Sequence, residues 1–101
     1  MVSREAIGSR LRLTREALGF RITAFAKVCG LSRTRYQNFE AGRNLIKPEQ
    51  AAKLFEAFAD DGLDFNWLYS GDTSGISPRI ARAIKARAEQ LAQSKAGVVN
   101  E

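Results

Sequence analysis

Apolar positions along the chain recur at helical spacing, and no segment alternates in the way a half-buried strand would. Ile7, Leu11 and Leu18 fall at i, i+4 and i+11, on one face of a first helix. Ser3 can cap that helix, and Gly19 is placed to end it in a left-handed conformation. A second short helix covers 22–29, with Phe25, Ala26 and Cys29 on its apolar face and Gly30 stopping it. Ser32 caps a third helix that turns Tyr36 and Phe39 inward and ends before Gly42, and a loop follows over 41–47. Pro48 suits the first position of a fourth helix, where its missing N–H costs nothing. There Ala51, Leu54, Phe55 and Phe58 give the cleanest amphipathic pattern in the chain, broken by Gly62. Asp64 caps a brief fifth helix over 65–69, closed by Gly71. Residues 72–76 read as a linker. Ser77 and Pro78 then open a last helix to about residue 93, with fraying from Gly97. The predicted fold is all-α.

A chain of 101 residues makes one small domain with a tail, and its 45% hydrophobic and 27% charged residues are ordinary for a globular protein. The absence of histidine removes imidazole-based acid–base catalysis, His-containing triads and most zinc sites. The single cysteine, Cys29, excludes an intrachain disulfide framework; it reads as filler of a small apolar hole, with a redox switch as the alternative. The chain is therefore not read as an enzyme, and no cofactor or metal is implied. No apolar run approaches the roughly 20 residues of a membrane span, and the charged start lacks a signal-peptide stretch. The expected location is cytoplasmic, away from membranes.

Charge adds direction to this picture. The net +5 is unevenly spread. Residues 21–50 carry six basic and two acidic groups, 51–76 carry one and five, and 77–101 carry five and two. A basic stripe on a small helical domain points toward a polyanion, usually nucleic acid. The acidic block is expected to face away from it and to be open to a protein partner such as polymerase.

Helices two and three give the basic stripe a form. Ala26 is small where a third helix must cross closely, Gly30 sits where the turn needs positive φ, and Leu31, Tyr36 and Phe39 hold the angle. That is the pattern of a DNA-binding helix-turn-helix, whose second helix enters the major groove. At 100° per residue, Arg33, Thr34, Gln37, Asn38 and Ala41 cover one outward arc of about 140°. Its guanidinium, two amides and hydroxyl are groups that read base edges. A merely solvated polar face would show the same composition.

The residues also carry a resemblance. Ile7-Gly8-Ser9-Arg10-Leu11-Arg12, Arg15-Glu16, Gly19, Phe25-Ala26, Gly30-Leu31-Ser32, Phe39-Glu40-Ala41-Gly42-Arg43 and Pro48 match in combination, and Asn66-Trp67-Leu68-Tyr69-Ser70-Gly71 looks like the end of a five-helix domain. Residues 7–71 resemble the XRE-type helix-turn-helix family of lambda-repressor-like and Cro-like regulators. The resemblance implies a five-helix DNA-binding domain over 1–71, with 77–101 as an additional C-terminal helix and tail. It implies an ion pair between Arg15 and Glu40, against two independent surface charges. It places Arg33, Thr34 and Asn38 at base-contacting positions, beside Gln37 on the same arc, and Arg35 and Arg43 at phosphates. The chain departs from the family at the start of helix two, where a capping Thr or Asn followed by Gln is usual. Here Arg21 and Ile22 stand instead. Arg21 can still reach a phosphate, but Ile22 has no side-chain donor.

The implied function is a sequence-specific double-stranded DNA-binding regulator, a phage- or prophage-type repressor acting as a homodimer on a pseudopalindrome. The alternative is an antitoxin or other protein-binding partner, in which 77–101 order on a second protein. A helical interaction domain that has lost DNA binding is a third reading, kept open by Ile22. Ile80, Ile84, Ala88 and Leu91 form a short apolar stripe on the last helix. It suits self-association, packing on its own domain, or a basic tail grazing DNA. Trp67 reads as a lid on the core or as a stacking platform for single strands.

Overall fold

The computed structural model describes residues 3–99, with side chains described through residue 93. Its helices are α1 (Arg4–Leu18), α2 (Ile22–Val28), α3 (Arg33–Glu40), α4 (Pro48–Ala57) and α5 (Pro78–Val99). A 3₁₀ turn (Ala59–Asp61) and a π-helical turn (Asn66–Ser70) lie between α4 and α5. The described residues include no strand.

Local chemistry sets the boundaries. The Ser3 hydroxyl accepts the Ala6 N–H at 3.0 Å, and Ser32 accepts the Arg35 N–H at 3.2 Å. Gly19, at φ 81°, turns the chain after α1. Pro48 occupies the first turn of α4, where Gln50 accepts the Lys47 N–H at 3.0 Å. Asp64 accepts the Trp67 N–H at 2.8 Å, but the turn it caps is π-helical and five residues long.

Two expectations about the C-terminal third need correction. Residues 72–76 do not behave as a linker. Ile76 is 5% exposed and joins the core, Ser77 N–H donates to the Asp61 carbonyl at 2.9 Å, and Gly62 has no room for a Cβ beside the Gly75 carbonyl. Nor does α5 end near residue 93; it continues to Val99, with Gly97 inside it.

The apolar stripe of α5 finds its partner within the chain. Ile80 and Ile84 are 0% and 4% exposed and pack toward α1, so neither is available to a second protomer, contrary to their candidacy as dimerisation residues. Ala88 is exposed and Leu91 half-buried further along the helix. The core thus runs without a break from Ile7 to Ile84. Trp67 closes it from one side as a lid: its Nε1–H donates to the Thr14 hydroxyl at 2.8 Å, and that hydroxyl donates to the Arg10 carbonyl at 2.7 Å. Phe20, Phe25, Tyr36 and Phe58 form an aromatic cluster, with Phe25 edge-on to Tyr36 at 5.7 Å and Phe20 edge-on to Phe58 at 5.4 Å. Cys29 fills a gap beside them; burial pushes its thiol up to about 11, so it stays protonated and unreactive.

Glu16 joins α1 to α5. Arg87 reaches its Oε2 at 2.8 Å, and Arg12 its Oε1 at 2.8 Å. Burial opposes the carboxylate, but the hydrogen bonds from Arg87 and Arg12 outweigh it and hold Glu16 below its ordinary value of 4.5. A lowered folded value means that the contribution is present above about 4.5 and lost as pH falls through the folded value. Thermal melts of Glu16→Gln should therefore show a shallower loss of stability on acidification than wild type. Parallel acid limbs for the two proteins would remove this role.

Candidate nucleic-acid interface

The candidate surface is built on the turn between α2 and α3. Gly30 adopts φ 70°, and the Leu31 N–H donates back to the Ala26 carbonyl at 2.9 Å, so the chain turns within the four residues between α2 and α3. Ser32 then starts α3, whose inward side is locked by Tyr36 at 0% and Phe39 at 6% exposure. With those two rings inside, helical geometry turns Arg33, Thr34, Gln37 and Asn38 outward. Arg33 and Thr34 are exposed; Gln37 and Asn38 are half-buried.

Two contacts with α1 fix the far end of α3. Gly8 lies against it so closely that a Cβ would stand 2.6 Å from the carbonyl oxygens of Phe39 and Glu40. The structure also brings Arg15 and Glu40 together. Arg15 donates from Nε to Oε2 at 2.7 Å and from Nη2 to Oε1 at 3.2 Å, and its Nη1 donates to the Phe20 carbonyl at 3.0 Å. The hydrogen bond to Glu40 raises the Arg15 guanidinium above its ordinary value despite burial. The fork geometry leaves little rotational freedom in α3.

In front of this face is a shallow cleft of about 670 Å³, lined by Thr34, Gln37, Asn38 and Ala41 with Arg12, Arg15, Ile22, Glu40 and Arg43 at its sides. A neighbouring hollow of about 350 Å³ is lined by Arg15, Arg21, Ile22, Thr23 and Arg33. Arg21, Arg33 and Arg43 therefore border the same surface. Arg35 points to another flank, in a hollow with Phe39, Asn44, Leu45, Lys47 and Gln50. Ile22 stands between the first two hollows, half-buried and packed on the core, an apolar spacer without a side-chain donor. Arg12 was not singled out from the sequence, although its spacing of three from Arg15 places both on one face of α1.

A model of a helix-turn-helix domain of the XRE/Cro-like type matches residues 6–66. The chain belongs to this helix-turn-helix family.

No curated protein and no solved structure gave a match. The all-α architecture is that of a lambda-repressor-like helix-turn-helix domain, with α5 packed onto it. Membership makes the chain a DNA-binding regulator, of a family that is typically non-enzymatic. No helix among the described residues is long and apolar enough to cross a membrane.

Proposed function

We propose that this helix-turn-helix protein is a repressor of phage or prophage type that binds double-stranded DNA sequence-specifically, as a homodimer on a pseudopalindromic operator. One observation carries the reading: α3 is clamped by Tyr36, Phe39 and the Arg15–Glu40 pair while Thr34, Gln37 and Asn38 face the cleft and Arg33 lines the hollow next to it. Those four are the base-reading residues. Arg21 and Arg35 take phosphates and set the register, while Arg43, held on Asn38, borders the same surface. Ile22 then seats the start of α2 by packing, leaving Arg21 as the nearby anchor. Occupation of a promoter by the dimer excludes polymerase.

Selection of sites from a random duplex pool tests this. The expected winner is palindromic, with half-sites about one turn apart and an affinity that falls steeply with salt. Arg33→Ala and Asn38→Ala should each cost about 1–3 kcal/mol and relax preference at one base pair per half-site. Full affinity and unchanged preference in both would reverse the assignment.

A short α3 reads only a few base pairs, which is why a second copy is needed. Its face cannot include Ile80 and Ile84. We place it at Leu45 and Phe65, the exposed large apolar side chains among the described residues at 48% and 43%. They are linked through Tyr69, which stacks on Phe65 at 5.8 Å and donates its hydroxyl to the Ile46 carbonyl at 2.9 Å. Phe65→Asp should yield a monomer by sedimentation and weaken palindrome binding; an unchanged dimer would move the interface elsewhere. The antitoxin reading draws less support, because the start of α5 is already ordered on its own domain.

A further inference from the structure

Asn38 closes the outward face of α3, and its carboxamide is already engaged. Arg43 Nη1 donates to Asn38 Oδ1 at 3.0 Å. The turn after α3 sets that contact. Gly42 supplies φ 76°, and the N–H groups of Arg43 and Asn44 donate to the Asn38 main-chain carbonyl at 3.0 and 3.4 Å. On the other side, Arg4 from α1 donates to the Arg43 carbonyl at 3.2 Å. The backbone of Arg43 is tied from both sides, which starts its side chain beside Asn38.

An amide offers a base two different groups, a carbonyl acceptor and an NH₂ donor. Adenine uses both at once through N6 and N7, whereas guanine presents two adjacent acceptors, N7 and O6. Oδ1 of Asn38 holds a charge-assisted bond on one of its two lone pairs, and a base donor approaching the other meets the Arg43 cation, whereas a base acceptor is attracted by it. Nδ2 is the group left uncommitted. We propose that Arg43 is a positioning residue that makes Asn38 read DNA as a donor, selecting guanine in place of adenine at its base pair. This rests on the DNA-reading proposal above, but a phosphate contact by Arg43 would not produce it. Such a contact changes affinity at every sequence alike.

The test is site selection with the full chain in three forms: wild type, Asn38→Ala and Arg43→Ala. The base pair whose preference Asn38→Ala erases is the one that Asn38 reads. Wild type is expected to favour guanine over adenine there about tenfold. Arg43→Ala, with a wild-type melting curve, is expected to shift that one position to adenine and leave the others unchanged. Adenine in the wild-type winner overturns the proposal. So does an unchanged base in Arg43→Ala with uniformly weaker binding and a salt slope shallower by about one, the mark of a phosphate contact. So does an Asn38→Ala winner identical to wild type. A pool in which wild type enriches no site overturns the DNA reading itself, and the role of Arg43 falls with it.

Discussion

Replacing Glu40 with alanine is expected to cost about 3 kcal/mol of folding stability, on the order of 15 °C in melting temperature for a domain of this size. The cost comes from what remains. Arg15 and Glu40 are 13% and 10% exposed, and the guanidinium cannot lose its proton. With the carboxylate gone, a largely buried cation keeps only the Phe20 carbonyl. Replacing both partners together, Arg15→Met with Glu40→Leu, should recover most of the loss, because the desolvated charge leaves with its partner. Urea titration of the two variants checks the pair of expectations. Equal losses in the single and double variants would mean that the ion pair contributes through its own attraction and not through the penalty of an orphaned charge.

Gly8→Ala is the second large effect, and its sign runs against helix propensity. Alanine in a helix interior is favoured over glycine by about 1 kcal/mol. At Gly8 the new methyl would sit 2.6 Å from two backbone oxygens of α3. Backbone cannot rotate aside as a side chain can, so the helices must separate, and overpacking of this kind costs about 1–3 kcal/mol or more. We expect net destabilisation of about 2 kcal/mol, with weaker DNA binding because α3 is displaced. Gly19→Ala is the comparison that isolates the cause. At φ 81° it carries backbone strain but meets nothing within 4 Å, so it should lower stability and spare the geometry of α3. Equal DNA affinity in Gly8→Ala and wild type, measured well below their melting temperatures, would show that the crossing tolerates the methyl.

The parts of this fold that depend on near neighbours were legible in the sequence. Ser3, Gly19, Ser32 and Pro48 act within one helical turn, so their types and positions were enough to place the ends of α1, α3 and α4. The inward turn of Tyr36 and Phe39 followed from period alone, and with it the outward arc of α3. Arg15 with Glu40 came from resemblance, since nothing local links residues 25 apart in sequence. The destination of α5 was not legible. Ile80, Ile84, Ala88 and Leu91 announce an apolar stripe, and a stripe does not say whether its partner lies in the same chain. Ile76 was hidden for another reason: a single apolar residue in a short polar stretch has no period. The contact of Arg43 with Asn38 depends on the path of the turn at Gly42, which spacing on α3 does not encode.

Ile76, Ile80 and Ile84 also bear on where this domain can be cut. The family match stops at residue 66, yet a fragment ended at Gly71 would lose three core side chains and uncover Trp67 and the α1 surface beneath α5. The cooperative unit is therefore longer than the motif that classifies it. Amide hydrogens of α1 and the first turns of α5 are expected to exchange through one opening event, because loosening α5 would unseat α1 and, through Gly8 and Arg15, helix α3.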